Sequence, residues 1–592
     1  MMRQMNRSKQ AIAPKKAIKL PFPNIDIKDG YIVIDNGDGD FTKVGREIRI
    51  KSIETDLDTD AVAYILTFQY GERIVEKRVE RGDLTKVKLL RLLESGADIF
   101  DHNVDTIIRH LRNEEVRAPM VNVHHQIGWG KYGDKPIYKH YQAVGIESTF
   151  SGSLAIEPQG DFDKWKNMVD TEVLGHTPLE LALVLGFSAV TIGFISEDLA
   201  SGSLVSHLSG DSTTGKTTAV MLAGSVAGCV DSKKNGLCGT WNTTRNALMG
   251  HLRDNYGLPV IFDEASMSGL KDYTNILYML SEGKEKARLT KELDMREQAN
   301  WRTSILSTGE YGLVGKSKQN TGLRVRILEF FDVNWTTSAE NAEAIKETVL
   351  KNYGHAAPLF AECLLKLGKS EVIQTVDNWR ERYLSEFHGG NDRLTERSSL
   401  NVAILLTTAE LVKQHFGFSI DVEKMLGFIA DSERQTMEDR DIGAKAYNYF
   451  LEQVAIHQHK FSSSHGELSK GLEDFETVQG DHWGHWDHTD EGAEIVITKE
   501  AFKQILKDGG YEDPRMILSR WKQQGLLNCE SDRHTRRRKL GSKGPTLDLY
   551  VIKVERDLMT GVDEEEKPRQ ASRLPNGKVP VKKVKAGALK VV

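Results

Sequence analysis

Between residues 30 and 150 apolar and polar positions alternate in short runs: YIVID, EIRIKSIE and AYILTFQYGERIVEKRV. A period of two predicts strands with one buried face. Helical stretches, LTKVKLLRLLESG and VDTIIRHLRNE, interrupt them, so the region reads as an α+β domain. From about 165 to 340 the pattern changes. Apolar strands (SLVSHLSG, LPVIFDE, RTSILSTGE, VRILEFF) alternate with helices, which predicts a mostly parallel sheet covered on both faces. Residues 340 to about 440 are helical throughout, as in NAEAIKETVLKNY, APLFAECLLKLG and SSLNVAILLTTAELVKQHFG. From there to about 555 the order is helix, variable loop, ITKEAFKQILKDGG, PRMILSRWKQQGLL, a basic turn and TLDLYVIKV. Two short helices followed by a basic hairpin predict a winged-helix module. There is no internal repeat.

One run, Leu179 to Ile195 (LELALVLGFSAVTIGFI), is near the lower length limit for a membrane span. It contains Glu180, Gly186 and Gly193 and leads almost directly into the next strand. A buried core helix is therefore expected, and no membrane association.

A chain of 592 residues is too long for one core, so about three or four domains are expected. The net charge of -6 selects no partner, but its distribution does more. Residues 1–20 carry six Lys/Arg and 567–592 carry eight, neither segment with an acid. Such ends are either arms that touch nucleic acid or solvated tails. The four cysteines, Cys229, Cys238, Cys363 and Cys529, form no CxxC pair. A disulfide framework and a four-thiolate zinc site are thus not expected, which fits a cytoplasmic protein. No apolar run with a small-residue cleavage site follows the basic N-terminus, so no signal peptide is read.

The chemistry concentrates at Gly210-Asp211-Ser212-Thr213-Thr214-Gly215-Lys216-Thr217-Thr218, which matches the phosphate-binding pattern G-x-x-x-x-G-K-[ST]. The glycines let backbone N–H groups face a β-phosphate, and the following helix presents its positive end to the same anion. Lys216 would place a charge between the β- and γ-phosphates of ATP, and the Thr217 hydroxyl would ligate Mg²⁺. About fifty residues on, the strand LPVIFDE ends in Asp263 and Glu264. That is a Walker B pattern: Asp263 would hold Mg²⁺ through its water shell and Glu264 would polarise the attacking water.

Three further features depend on sheet order. The strand TSILSTGE ends in Ser307 and Thr308; in a sheet ordered as in AAA+ ATPases either could be sensor 1, beside the γ-phosphate. In GLRVRILEFF, Arg326 abuts a late strand and Arg324 precedes it. Either could reach a neighbour's ATP as an arginine finger, Arg326 being the first choice. In NDRLTERSSL, Arg393 and Arg397 are candidates for sensor 2.

GDSTTGKTT, TWNTTRNAL, LPVIFDEAS, the basic stretch before WRTSILSTGE, and GLRVRILEFF together resemble a family of AAA+ proteins from plasmids, phages and mobile islands. That family has long been catalogued as a domain of unknown function and is similar to the MCM-type replicative helicases. Its members include self-loading helicases of cassette chromosomes and pathogenicity islands. The resemblance covers roughly residues 110–555 and is strongest from 200 to 330. It implies a homo-hexameric ring with ATP sites between subunits and single-stranded DNA in the pore. It also implies a basic β-hairpin before sensor 1, here Lys284, Lys286, Arg288 and Lys291, gripping phosphates by charge. Lys291, near the expected tip, is the preferred contact. MCM N-terminal domains often carry a zinc module, yet residues 1–165 contain no cysteine, so N-terminal ring functions do not transfer directly.

In the C-terminal module, Arg515, Arg520 and Lys522 lie on the expected recognition helix. Arg536, Arg537 and Arg538 follow in the expected wing, suited to DNA or, alternatively, to protein contact. His482, His485 and His488, with His457, His459 and His465, resemble a metal site, but without cysteine they read better as a Trp-anchored loop.

The fold expected is multidomain α/β: a basic arm (1–20), an N-terminal α+β domain (21–165), an AAA+ P-loop ATPase core (166–340), a helical lid (341–440), a winged-helix domain (441–556) and a basic tail (557–592). The expected function is an ATP-dependent DNA helicase and replication initiator of a mobile element, working on forked, single-stranded and origin DNA. The rival is an ATP-switched origin- or promoter-binding protein that does not unwind.

Overall fold

The computed structural model describes residues 19–555, apart from 271, 287–297, 318–320, 387–392, 441, 464–480, 490–491, 512 and 541–544. The chain divides into two units, Met1–Asp441 and Ile442–Val592.

The alternating runs near the N-terminus form two sheets. Strands β1 (Ile25–Lys28), β2 (Tyr31–Gly37) and β3 (Asp40–Arg46) make an antiparallel sheet. Next come β4 (Ile48–Asp56), β5 (Val62–Tyr70), β6 (Arg73–Glu80), the short α1 (Lys86–Leu89), α2 (Val104–Arg117) and β7 (Met120–His124). A hairpin, β8 (Ile127–Tyr132) and β9 (Lys135–Lys139), and the short β10 (Thr149–Phe150) follow. The larger sheet has the order β10-β7-β4-β5-β6. The apolar face of α2 (Val104, Ile107, Leu111) closes this core over Ile48, Ile53, Tyr64 and Leu66. The β8–β9 hairpin, read from the sequence as part of the same domain, goes elsewhere. It pairs with β13, introduced below, through Ile127 and Asn255, and its Trp129 and Tyr138 belong to the core of the following region.

That region runs α3 (Phe162–Met168), α4 (Thr177–Ile195), β11 (Leu204–Ser209), α5 (Lys216–Ser225), β12 (Cys238–Thr240), α6 (Arg245–Leu252), β13 (Asn255–Tyr256), β14 (Val260–Asp263), α7 (Thr274–Glu282), β15 (Ser304–Gly309), α8 (Thr321–Arg324) and β16 (Ile327–Phe331). Its sheet is parallel throughout, in the order β12-β14-β15-β11-β16. Side-chain caps start several helices, as where Thr244 Oγ1 accepts from Ala247 N on α6. Five helices follow: α9 (Ala339–Val349), α10 (Ala356–Leu367), α11 (Lys369–Ser385), α12 (Arg393–Phe416) and α13 (Val422–Arg440).

Among the described residues one helix, α4, is long and apolar enough to cross a membrane, and it lies buried inside the fold. It has no polar face because it has no exposed face. The Val190 carbonyl accepts from Trp129 Nε1 at 2.7 Å, and Thr191 accepts from Thr408 of α12 at 2.8 Å. Glu180, near its start, turns back to accept from Gly175 N at 2.8 Å. Two glycines allow backbone to approach backbone. A Cβ at Gly186 would overlap the Ala223 carbonyl of α5, and one at Gly193 would overlap the Tyr256 carbonyl of β13. The helices of 339–440 therefore share one apolar core with the sheet.

In the second unit, α14 (Ile442–Ile456) leads into β17 (Phe461–Ser463), β18 (Gly484–Thr489), β19 (Gly492–Ile497), α15 (Lys499–Asp508), α16 (Pro514–Gln523), β20 (Arg536–Lys539) and β21 (Thr546–Glu555). The sheet order is β17-β18-β19-β21-β20, and Trp521 of α16 is buried against Phe450 and Phe502. Asp513 caps α16, its side chain accepting from Arg515 N and Met516 N, with Pro514 in the first turn.

Overpacking at the α4 glycines is directly testable. Gly193→Ala should destabilise the protein by about 1–3 kcal/mol. Gly427→Ala, in α13 with open space around it, should be neutral or stabilising by up to about 1 kcal/mol. Thermal melts of the two variants against wild type check this.

Candidate functional site

The glycine-rich loop lies where β11 ends and α5 begins. Gly210 and Gly215 take left-handed φ values of 136° and 84°, and Thr213 joins them at 79°. The segment after β16 straps the loop: Trp335 N donates to Thr214 O at 2.8 Å and Asp332 N to Ser209 O at 3.1 Å. A side chain at Gly215 would overlap Thr336, so only glycine keeps the loop closed against the strap. The Lys216 ammonium folds over the loop, donating to Gly210 O at 2.8 Å and Asp211 O at 2.6 Å.

The polar ends of three parallel strands meet beside this loop. Thr217 Oγ1 stands 3.4 Å from both carboxylate oxygens of Asp263, too long for a strong hydrogen bond. Thr308 Oγ1 donates to the same carboxylate and accepts from Glu264 N at 2.9 Å. Glu264 itself holds φ 61°, an uncommon left-handed conformation for a non-glycine residue. Ser212 Oγ of the loop reaches Glu310 Oε1 at 3.3 Å. The hydroxyl and carboxylate oxygens of Thr217 and Asp263 are the donor set a hard divalent cation takes, so these residues fit Mg²⁺.

Ser307 and Thr308 are thus separated by their partners. Ser307 accepts from Trp241 Nε1 at 2.9 Å and donates to His207 Nδ1 at 2.8 Å. His207 Nε2 in turn donates to Tyr311 O at 2.9 Å. Burial pushes the His207 imidazole down to about 4, so it is neutral and can accept from Ser307. Only Thr308 faces the acids.

Arg326 stands at the opposite edge of the sheet. It directly precedes β16, whose Ile327 is level with Val205 and Phe331 with Ser209. Its guanidinium donates to Gly322 O at 2.7 Å, lies over the Tyr278 ring and lines a cavity of about 680 Å³ with Arg302, Ser281 and Asn401. The side chains of Arg324, Arg393 and Arg397 lie outside the described residues, as do Arg288 and Lys291. Lys284 and Lys286 are exposed at the base of the basic segment, where Lys284 bridges Asn300 and Glu285 N donates to Ala299 O at 2.9 Å.

In the second unit the three wing arginines divide by strand alternation. Arg536 donates to Asn528 Oδ1, Asn528 donates to the buried Glu494, and Arg538 lies 3.5 Å from the same carboxylate. Arg537 alternates to the other face and is exposed. Lys522 donates to the carbonyls of Glu530, Ser531 and Arg533, at 3.1, 2.7 and 3.2 Å, holding the turn before the wing. Of the clustered histidines, His482 lies 3.2 Å from Ser462 Oγ and His457 packs on Trp483. Among the described residues no group of three or more His, Cys, Asp or Glu is placed to hold a metal.

Residues 30–300 match the family model described as a domain of unknown function, DUF927. Residues 441–557 match the Cch helix turn helix domain. The chain is also similar to a solved structure of SCCmec type IV Cch, described as an active helicase, at 26% identity and a TM-score of 0.74, over 91% of this chain and 98% of that one. No curated protein matches. The chain is a multidomain α/β protein with a C-terminal helix-turn-helix domain.

Sequence reasoning missed the buried relay Trp241–Ser307–His207 and the two tyrosines, Tyr273 and Tyr311, that donate to Ala265 O at 3.0 Å each. No spacing marks them, because their partners are backbone carbonyls and residues on other strands. Removing the relay's centre isolates its other members. Ser307→Ala should destabilise the protein by about 1–3 kcal/mol, the cost of leaving Trp241 Nε1 and His207 Nδ1 without partners, read as a lowered melting temperature.

Proposed function

We propose that this protein is an ATP-dependent DNA helicase and replication initiator of a mobile genetic element. The observation that carries the reading is the convergence of Thr217, Asp263, Thr308 and Glu264 beside a glycine-rich phosphate loop. The likeness to an active helicase over 91% of the chain supports it.

In this reading the loop N–H groups of residues 210–218 and Lys216 bind the phosphates of ATP. Thr217, by its hydroxyl, and Asp263, through the ion's water shell, would hold Mg²⁺, which would neutralise phosphate charge. Thr308 holds the Asp263 carboxylate and the Glu264 N–H, which orients Glu264 to take a proton from the attacking water. The β16 strand puts Arg326 roughly 17 Å along the sheet from the loop, five residues at the strand rise. Arg326 is thus too far to serve its own chain's nucleotide and suits the ATP of a second copy. A head-to-tail ring of the AAA+, MCM-like kind, hexameric in the fullest form of the proposal, supplies that copy. Arg397 would reach the nucleotide from the helical region as sensor 2. Lys284, Lys286, Arg288 and Lys291 would grip single-stranded DNA in the pore.

The decisive test is strand displacement on a forked DNA with ATP. Wild type should unwind, and Glu264→Gln should lose about 10²- to 10⁴-fold in hydrolysis with no displacement. ATP hydrolysis by wild type without displacement would favour the rival, an ATP-switched origin-binding protein.

The winged-helix unit is proposed to bind duplex origin DNA, with Arg537 and the start of α16 facing it. Arg537→Ala should weaken duplex binding and reduce the salt dependence by about one phosphate contact, with no change in melting temperature. Arg538→Ala should lower the melting temperature as well, because Glu494 loses a charged partner in a buried site. Salt-titrated binding and thermal melts separate the two.

A further inference from the structure

The basic segment between Gly283 and Trp301 hangs on two legs, α7 on one side and the strand entering β15 on the other. The far ends of both legs meet at one turn, the residues just after Glu264. At the start of α7, Tyr273 is fully buried, and its hydroxyl donates to the Ala265 carbonyl at 3.0 Å. Just beyond β15, Tyr311 donates to the same carbonyl at 3.0 Å. The two phenol oxygens are 3.4 Å apart. Thr308 Oγ1 accepts from Glu264 N, and Glu310 N donates to Ser266 Oγ at 2.9 Å. Four contacts therefore pin the three residues 264–266 to the two legs. The turn they hold begins at a strained residue, Glu264 at φ 61°.

The packing makes Tyr273 a stiff link. Its ring meets Trp241 edge-on at 5.4 Å, and Trp241 is anchored by Ser307. At the other end of the legs, Trp301 is fully buried and its Nε1 donates to Leu280 O of α7 at 3.3 Å, so the legs are tied together there as well. Burial raises the Tyr273 phenol to about 12, which keeps its proton in place as a donor at neutral pH.

We propose that Tyr273 and Tyr311 are positioning residues that fix the backbone of Glu264 and couple it mechanically to both legs of the basic segment. A change at the acid between nucleotide states then shifts the segment's base without any direct contact to nucleotide or DNA. A carbonyl is the right acceptor for such a link, since it titrates at no pH and accepts two donors at once. The proposal rests on Glu264 facing bound nucleotide, but not on unwinding.

The test is hydrogen exchange of full-length protein, with and without ATPγS and Mg²⁺, in peptides covering 276–286 and 298–303. Wild type should show nucleotide-dependent protection in both legs. Tyr273→Phe, which keeps the ring and removes one hydroxyl, should bind ATPγS within about twofold of wild type yet lose most of that protection change. In steady-state kinetics its KM for ATP should hold while any DNA stimulation of kcat falls. Tyr311→Phe, at a half-buried position, should give the same pattern if Tyr273→Phe proves unstable. The proposal is overturned if wild type shows no nucleotide-dependent change in the legs, or if both variants keep it in full. Loss of the coupling in a protein that never displaces a strand would leave the clamp standing and sink the helicase reading instead.

Discussion

The architecture of the first unit depends on burying α4 on every side. A helix with a polar stripe can only lie on a surface; α4 offers none, so sheet, hairpin and helices must all come to it. Its two glycines set how closely they come. At Gly186 the loop helix α5 packs backbone to backbone, and at Gly193 β13 does the same. α5 carries Lys216 and Thr217, and β13 leads into the strand ending at Asp263. The distance between the glycine-rich loop and the acids is therefore governed partly from behind the loop helix, by the missing Cβ atoms of α4. Side chains there would push the backbone outward, and the 3.4 Å approach of Thr217 to Asp263 would be among the first geometries to shift.

The same helix explains what sequence pattern could and could not reveal. Period-two runs marked the N-terminal strands, and alternation of short apolar strands with helices marked the parallel sheet. Both signals are local and survived folding. The place of the β8–β9 hairpin was not legible, because nothing in its own short strands names its partner, two residues of β13 over a hundred positions away. Likewise residues 341–440 read as a helical lid, and a helix's periodicity says which face is apolar but not which neighbour covers it. Thr408 of α12 meeting Thr191 of α4 is a pairing that periodicity cannot encode.

At the site the glycine-rich loop and the two acids that the structure brings together stood out by their spacing, because such a loop is a contiguous stretch of backbone. Residues that act by support could not. Ser307 and Thr308 are adjacent and chemically alike, yet strand alternation sends one into a relay with Trp241 and His207 and the other onto the acids. The wing shows the same division. Three consecutive arginines look like one basic cluster, but the pleat hands Arg536 and Arg538 to a network on Glu494 and leaves Arg537 outward.

Sheet polarity then limits what a single chain can do. Every strand of the sheet runs the same way, so the loop, Asp263, Glu264 and Thr308 crowd one edge while Arg326 and Arg302 are left at the other. Among the described residues of the loop, the Lys216 ammonium turns back on its own loop carbonyls. In the proposed reaction a γ-phosphate leaving in a loose transition state spreads charge over three oxygens, and Lys216 with a metal would cover only part of it. In that reading Arg326 is the further cation, and it stands at the edge away from its own chain's loop. A parallel sheet can bring such a group to bear only by meeting the loop edge of another copy, and a contact of that head-to-tail kind either closes into a ring or grows into a filament.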